Sequence, residues 1–322
     1  MPVRSKWQSL PTERINPSSL GIDKQTPGDI VEAMLAEDRK MLAAVQREKE
    51  RIAVGIDIVT QTLRRGGRIV LVGAGTSGRL GIVEAAEMPP TFGTDPDLVQ
   101  AIMAGGQNAV IRNKEGVEDN YEEGSRSVNR LRPTKNDVVI GVSASGMTPF
   151  VRGALTRARR AGSRIIFVTC DPHTELQTFV DLTIAPEVGP EVIAGSTRLK
   201  AGTATKLVLN MLTTASMIRI GKTYGNLMVD VQTGSEKLKD RARRIIMIVT
   251  GLEYDEADAL LRRARWNVKA AIVMQKTGLS YPKAVARLRR AHDFVRDAIG
   301  EDIEPRLREL LDADPARRRP EA

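Results

Sequence analysis

The apolar residues of this chain change period along its length. From Ile30 to Leu63 they recur at helical spacing (Val31, Met34, Leu35, then Met41, Leu42, Val45, and later Ile52, Ile56, Ile58, Val59 and Leu63), which predicts two helices. Short apolar runs of strand length follow at 68–72, 98–103, 137–142, 164–169 and 182–185, and helix-compatible segments at 79–87, 117–131, 148–161 and 174–180 separate most of them. Strands of this kind alternating with helices predict an α/β architecture, a parallel sheet covered on both faces. A long helix is expected over about 202–222 and another over 236–249. Gly251 then punctuates the chain, and residues 252–299 read as three short amphipathic helices built on Ala257, Leu260 and Leu261, on Val268, Ala271, Ile272 and Met274, and on Ala284, Leu288, Phe294 and Val295. The expected organisation is an arm at 1–27, closed by the turn signal Pro27-Gly28, an α/β domain at 28–250, a helical subdomain at 251–300, and a tail at 301–322 without fixed structure.

Composition narrows the class. Of the 322 residues 41% are hydrophobic and only 3% aromatic, so the core rests on aliphatic side chains. Cys170 is the single cysteine, which forbids an intramolecular disulfide and fits a reducing cytoplasm. The first residues lack the apolar run of a secretory signal, and no stretch approaches 18 uninterrupted apolar residues, so no membrane association is expected. Lysine and arginine exceed aspartate and glutamate by 49 to 40, a net +9. The excess clusters in C-terminal helices (Arg262, Arg263, Arg265, Arg287, Arg289, Arg290) and at Arg317 to Arg319, with few aromatics to stack bases; it reads as a solvated basic face rather than a nucleic-acid surface.

Candidate chemistry gathers in two loops that leave strands. The first, in RIVLVGAGTSGRLGIVEAAEMPP, runs through Gly73, Gly75, Thr76, Ser77 and Gly78 into a helical segment carrying Glu84 and Glu87. Glycines bring backbone N–H groups close to a ligand and the helix start favours an anion. It is not a Walker loop, because Gly78 leads to Arg79 and Leu80. Gly73-x-Gly75-x-x-Gly78 approaches the dinucleotide fingerprint but lacks the strand-end acid some 20 residues on. The second loop is Ser143-Ala144-Ser145-Gly146-Met147-Thr148-Pro149, again hydroxyl-rich at a helix start. In both loops the hydroxyls serve either a ligand or a helix cap.

The carboxylates offered to such a pocket are Glu87, before Met88-Pro89-Pro90, which reads as a helix stop, and Glu118 in NKEGVEDN. A pair of carboxylates divides acid and base roles when burial raises one pKa, although Glu118 and Asp119 equally suit the first turn of a helix. His173 and His292 lie far apart with no HExxH or CxxC, so neither metal nor cofactor is expected, and Cys170 at a strand end reads as a core residue.

The chain resembles the N-acetylmuramic acid 6-phosphate etherases of the sugar isomerase (SIS) superfamily, from about Thr12 to about Ile299. The resemblance rests on TERINPSS, GAGTSGRLG, EMPPTFGTDP, the MAGG turn, EGVEDN, SASGMTP and the long GSTRLKAGTATKLVLNML…GKTYGNLMVDV block. It implies a three-layer α/β/α SIS sandwich, a homodimer and a small C-terminal three-helix (UBA-like) subdomain. It also implies cleavage of the D-lactyl ether of N-acetylmuramate 6-phosphate to N-acetylglucosamine 6-phosphate and D-lactate in peptidoglycan recycling. Matching motifs place the proton donor at Glu87 and the second active-site glutamate at Glu118. Phosphate is then expected on Ser143, Ser145, Gly146 and Thr148, with Thr76, Ser77 and Gly78 at the sugar or phosphate. Met88 stands where cysteine is common and Met147 where arginine is common. A sugar-phosphate isomerase on the same fold, and a non-catalytic sugar-phosphate sensor like the related glucokinase regulatory protein, are the alternatives.

Overall fold

Ile69–Gly73 (β1) and Val138–Val142 (β3) are buried at every position, as runs without a polar side chain must be when helices cover both faces of a sheet. With Val99–Met103 (β2), Arg164–Val168 (β4) and Leu182–Ile184 (β5) they form one parallel sheet in the order β2-β1-β3-β4-β5. Register sets Gly73 level with Met103 on one side and with Val142 on the other, so the loops that follow these strands emerge together. The structure is a computed structural model that describes residues 10–313.

The helices of the first part are Pro27–Arg47 (α1), Lys49–Arg64 (α2), Gly75–Phe92 (α3), Asn108–Ile111 (α4), Tyr121–Arg130 (α5), Pro149–Arg160 (α6) and Lys200–Arg219 (α7). Val70, Val72, Val139, Ile165 and Phe167 pack on one face of the sheet against Phe150, Val151, Ala154, Leu155 and Ala158 of α6. On the other face Gly55 of α2 lies against Leu212 of α7 and Ile184 of β5, and Gly81 of α3 lies against Leu71. The result is the expected three-layer α/β/α sandwich. The arm before α1 is not simply extended: Pro11–Glu13, Pro17–Ser19 and Ile22–Lys24 are 3₁₀ turns, while residues 1–9 lie outside the described residues.

Two local differences from the sequence reading bear on the site. α3 does not stop after Glu87; it continues through Pro89 and Pro90 to Phe92. Prolines cannot donate to the carbonyls of Ala85 and Ala86, but Met88 and Phe92 are buried and Gly93 N–H closes the last turn on Pro89 O at 2.9 Å. α5 begins at Tyr121 rather than near 117, because the Asn120 side chain caps it by accepting from Glu123 N–H. Glu118 and Asp119 therefore belong to the loop before the helix.

One buried charged cluster braces this α/β part. Lys200 Nζ lies 2.5 Å from Glu37 Oε2, Lys40 also bonds Glu37, and Glu191 accepts the backbone N–H groups of Lys200 and Ala201 at 3.1 and 3.0 Å. Burial works to raise the Glu37 carboxyl, but hydrogen bonds from Lys200, Lys40 and Asn16 outweigh it and hold the group at about 2. Burial pushes Glu191 above the usual carboxylate range, partly offset by the two amides.

The chain divides into two compact units, one of the described residues to Ala86 with Pro96–Ser216, the other of Glu87–Asp95 with the described residues from Met217. The second holds Glu236–Thr250 (α8), Tyr254–Arg263 (α9), Val268–Thr277 (α10), Tyr281–Arg290 (α11), Val295–Ile299 (α12) and Glu304–Ala313 (α13). Ile245, Ile246 and Val249 of α8 share one apolar core with Leu260, Leu261, Ile272 and Leu288, so this unit begins before residue 251. The segment expected as a third helix comes as α11 and α12, parted at His292 and Asp293, whose φ values of 51° and 64° no helix continues through. Within the tail 301–322, residues 304–313 are helical, with Leu307 packed on this core, and 314–322 lie outside the described residues.

Candidate active site

The loop after β1 turns straight into α3. A Cβ on Gly78 would stand 2.7 Å from Met103 Cγ and 2.9 Å from Gly73 O, so Gly78 serves the tight packing of this turn. Thr76 and Ser77 consequently occupy the first turn of α3.

The loop after β3 is held from several sides. Ser143 N–H bonds Val168 O of β4 at 3.0 Å, Gly146 N–H bonds Ser143 O at 3.0 Å, and Thr174 Oγ1 donates to Gly146 O at 2.9 Å. Gly146, at φ 73°, leaves no room for a Cβ beside Thr174 and acts as the pivot of the turn. The hydroxyls of Ser143 and Thr148 are 2.7 Å apart. Thr148 is the N-cap residue of α6 yet makes no side-chain cap bond. The capping interpretation of this hydroxyl is thus excluded by geometry, and the N-terminal amides of α6 have no side-chain acceptor from their own cap.

Glu118 reaches the same place through its backbone, for Phe150 N–H at the start of α6 donates to Glu118 O at 2.9 Å. Upstream, Arg79 of α3 fastens α4 by donating from Nε to Val110 O and from Nη2 to Ala109 O, both at 2.8 Å. A cleft of about 300 Å³ results, lined by Thr76, Ser77, Glu118, Ser143, Ser145 and Thr148. It opens at the C-terminal ends of β1 and β3, the switch point of a 2-1-3-4-5 sheet, where such folds bind ligands.

Glu13, Asn113, Lys114 and Thr197 line the cleft as well, and sequence reasoning did not assign them a site role. The signal for them was weak, since each lies in a motif block (TERINPSS, NKEGVEDN, GSTRLK) with no chemistry of its own. The ionisable side chains of the lining are Glu13, Lys114 and Glu118, and among the described residues none of the three forms an ion pair.

Glu87 is exposed, falls in the second unit, and is not among the lining residues of the cleft. Glu84, one turn earlier, is buried and accepts hydrogen bonds from Asn210 Nδ2 at 2.5 Å and from Thr213 Oγ1, which ties α3 to α7. Cys170 is fully buried, and burial, with the nearby Glu191 charge, pushes its thiol up to about 12; it is a core residue, not a nucleophile. Among the described residues no three His, Cys, Asp or Glu side chains group as a metal site.

Sequence comparison places these residues in a family. Residues 51–159 match the glucokinase regulatory protein N-terminal SIS domain, and residues 118–215 match the SIS domain. The N-acetylmuramic acid 6-phosphate etherase of Salinibacter ruber is 50% identical over 296 residues, covering 92% of this chain and 95% of that protein. The chain belongs to the N-acetylmuramic acid 6-phosphate etherase family. Etherases of Thermosynechococcus vestitus and Clostridioides difficile are 49% and 48% identical over 264 and 265 residues, in both cases 82% of this chain, and 86% and 87% of theirs. Both cleft-forming loops of the etherase-family chain fall within 51–159, and the SIS match starts at Glu118.

Proposed function

We propose that this chain is an N-acetylmuramic acid 6-phosphate etherase, a carbon–oxygen lyase. It would release D-lactate from N-acetylmuramate 6-phosphate and yield N-acetylglucosamine 6-phosphate in the recycling of peptidoglycan. The observation that carries the reading is the pairing, in one cleft, of a hydroxyl-lined helix start (Ser143, Ser145, Thr148) with a carboxylate, Glu118, tied to that same helix. The hydroxyls suit the phosphate at a helix start whose dipole favours an anion, with Thr76 and Ser77 at the sugar.

In the opened sugar the C2 proton is acidic because it is α to the C1 aldehyde. Glu118 removes it as general base, the C2–C3 double bond forms, and the C3–O bond to lactate breaks. Glu87, the acid by its place in the EMPP motif, protonates the departing oxygen. Water then adds its hydroxyl to C3 and a proton returns to C2.

The protein is assigned to the cytoplasm on its single buried cysteine, and no helix of the described residues is long and apolar enough to cross a membrane. A homodimer is proposed from α1, which leaves Val31, Met34, Leu35 and Leu42 exposed along one stripe; sedimentation equilibrium at the mass of one chain would remove it.

The test is D-lactate release from N-acetylmuramate 6-phosphate in the presence of EDTA. Stoichiometric lactate and N-acetylglucosamine 6-phosphate establish the reading. Saturable binding without lactate transfers the protein to the sensors or the isomerases.

A further inference from the structure

We infer that Glu13, carried into the cleft by the N-terminal arm, is a substrate-binding carboxylate that accepts hydrogen bonds from the sugar hydroxyls and sets the direction in which a sugar phosphate enters. The inference deepens the functional reading above and rests on it for the substrate class.

The arm is stitched along residues 190–195. Asn16 Nδ2 bonds Pro190 O at 3.0 Å, Ser19 Oγ bonds Val192 O at 2.8 Å, and Gly195 N–H bonds Thr12 O at 3.0 Å. Leu10, Pro11 and Thr12 are buried, yet Glu13, the next residue, is exposed and lines the cleft. Its carboxylate lies against the backbone of Gly195: a Cβ there would stand 3.0 Å from Glu13 Oε2, and the φ of 78° also disfavours any side chain. No ion pair or hydrogen bond occupies the carboxylate among the described residues. A fixed anchor thus delivers a charged acceptor, unpaired among the described residues, to a cleft rich in hydroxyls.

The chemistry of that acceptor follows from charge. A carboxylate repels a phosphate dianion and attracts neutral O–H donors, and its two oxygens match a vicinal diol. A sugar phosphate therefore enters with its phosphate at Ser143 and Thr148 and its hydroxyls toward Glu13. Lys114 offsets part of the negative charge of Glu13 and Glu118 in the same lining.

The experiment is calorimetric titration of the full chain with N-acetylglucosamine 6-phosphate and, separately, with inorganic phosphate. Glu13→Ala is expected to weaken the sugar phosphate by about tenfold or more and Glu13→Gln by less, as loss of a charge-assisted hydrogen bond requires. Inorganic phosphate should bind both variants within about twofold of the wild type, by the same arithmetic. Gly195→Ala, which keeps the carboxylate but displaces it, should weaken the sugar phosphate alone. Equal affinity of Glu13→Ala and wild type for the sugar phosphate overturns the assignment, as does equal weakening of both ligands, which is the mark of a structural role. Wild-type protein that binds the sugar phosphate but releases no lactate overturns the etherase reading and leaves Glu13 standing. Lactate release with unaltered binding in Glu13→Ala does the reverse, and a wild type that binds no sugar phosphate overturns both.

Discussion

Ser143 Oγ and Thr148 Oγ1 share a 2.7 Å hydrogen bond across the turn that joins β3 to α6, and this bond takes the hydroxyl of the N-cap residue away from its own helix. The two hydroxyls present their remaining donor and acceptor capacity as a unit at the helix start. Thr148→Val and Ser143→Ala should each weaken phosphate and sugar-phosphate binding by about three- to tenfold, as for one neutral hydrogen bond. Thermal stability should fall equally in Thr148→Val and Ser143→Ala, since each variant loses the one shared bond. A fall in Thr148→Val larger than that in Ser143→Ala by about 1 kcal/mol, the ordinary worth of a lost cap, would restore the capping role instead.

Glu118 meets α6 through its carbonyl, which leaves its side chain for the cleft. Glu118→Gln should lower the rate of lactate release by about 10²- to 10⁴-fold, the usual range for a lost general base, with little change in sugar-phosphate affinity. Glu87→Gln should lower kcat as well; lactate release at the wild-type rate in either variant removes that residue from the chemistry.

Glu37 links acid stability to the buried Lys200. Its carboxyl is held at about 2 against an ordinary 4.5, so its contribution is complete above pH 4.5 and is lost as pH falls from 4.5 toward 2. The shift corresponds to about 3 kcal/mol over that window. Glu191 is shifted the other way, so its contribution changes above pH 4.5. Lys200→Met should destabilise the protein by up to about 3 kcal/mol at pH 7, because it removes the buried partner of Glu37 and leaves it Lys40 and Asn16. The difference between wild type and variant should narrow between pH 4.5 and 3 in urea unfolding, and a constant difference would contradict the linkage.

α5 and α6 approach backbone to backbone at Gly124 and Gly153, where added Cβ atoms would stand 1.9 Å from Phe150 O and 2.0 Å from Tyr121 O. Because the Glu118–Phe150 bond ties the loop that leads into α5 to the start of α6, the spacing of the two helices also bears on the cleft. Gly153→Ala should cost about 2–3 kcal/mol, read as a lowered melting temperature, and should reduce lactate release in protein that remains folded. An unchanged melting temperature would show that the helices part freely.

The site was partly legible for a local reason. Glycines, hydroxyls and a strand-to-helix change of period lie within a few residues of one another, so Thr76, Ser77, Ser143, Ser145 and Thr148 could be read as two loops at strand ends. Glu118 stood out as a carboxylate in a polar motif. Arg79 was visible as the residue that breaks the Walker pattern, but its clamp on Ala109 O and Val110 O was not, since these partners lie 30 and 31 residues away. Burial of Met88 and Phe92 likewise overrode the stop signal of Pro89-Pro90.

The sequence by itself determined the elements and their layering, because hydrophobic period, turn residues and uniformly apolar strands act over neighbouring positions. Only the tertiary structure decided which loops meet. The β2-β1-β3-β4-β5 order sets the turns after Gly73 and Val142 side by side, a consequence of crossover connections that leave no local trace. It also decided which acids are structural and which are free. Glu84 is satisfied by Asn210, 126 residues away, whereas the arm anchored to Pro190 across 174 residues delivers to the cleft a Glu13 that is unpaired among the described residues. Contacts across such separations depend on packing of the whole unit, and no window of sequence contains them.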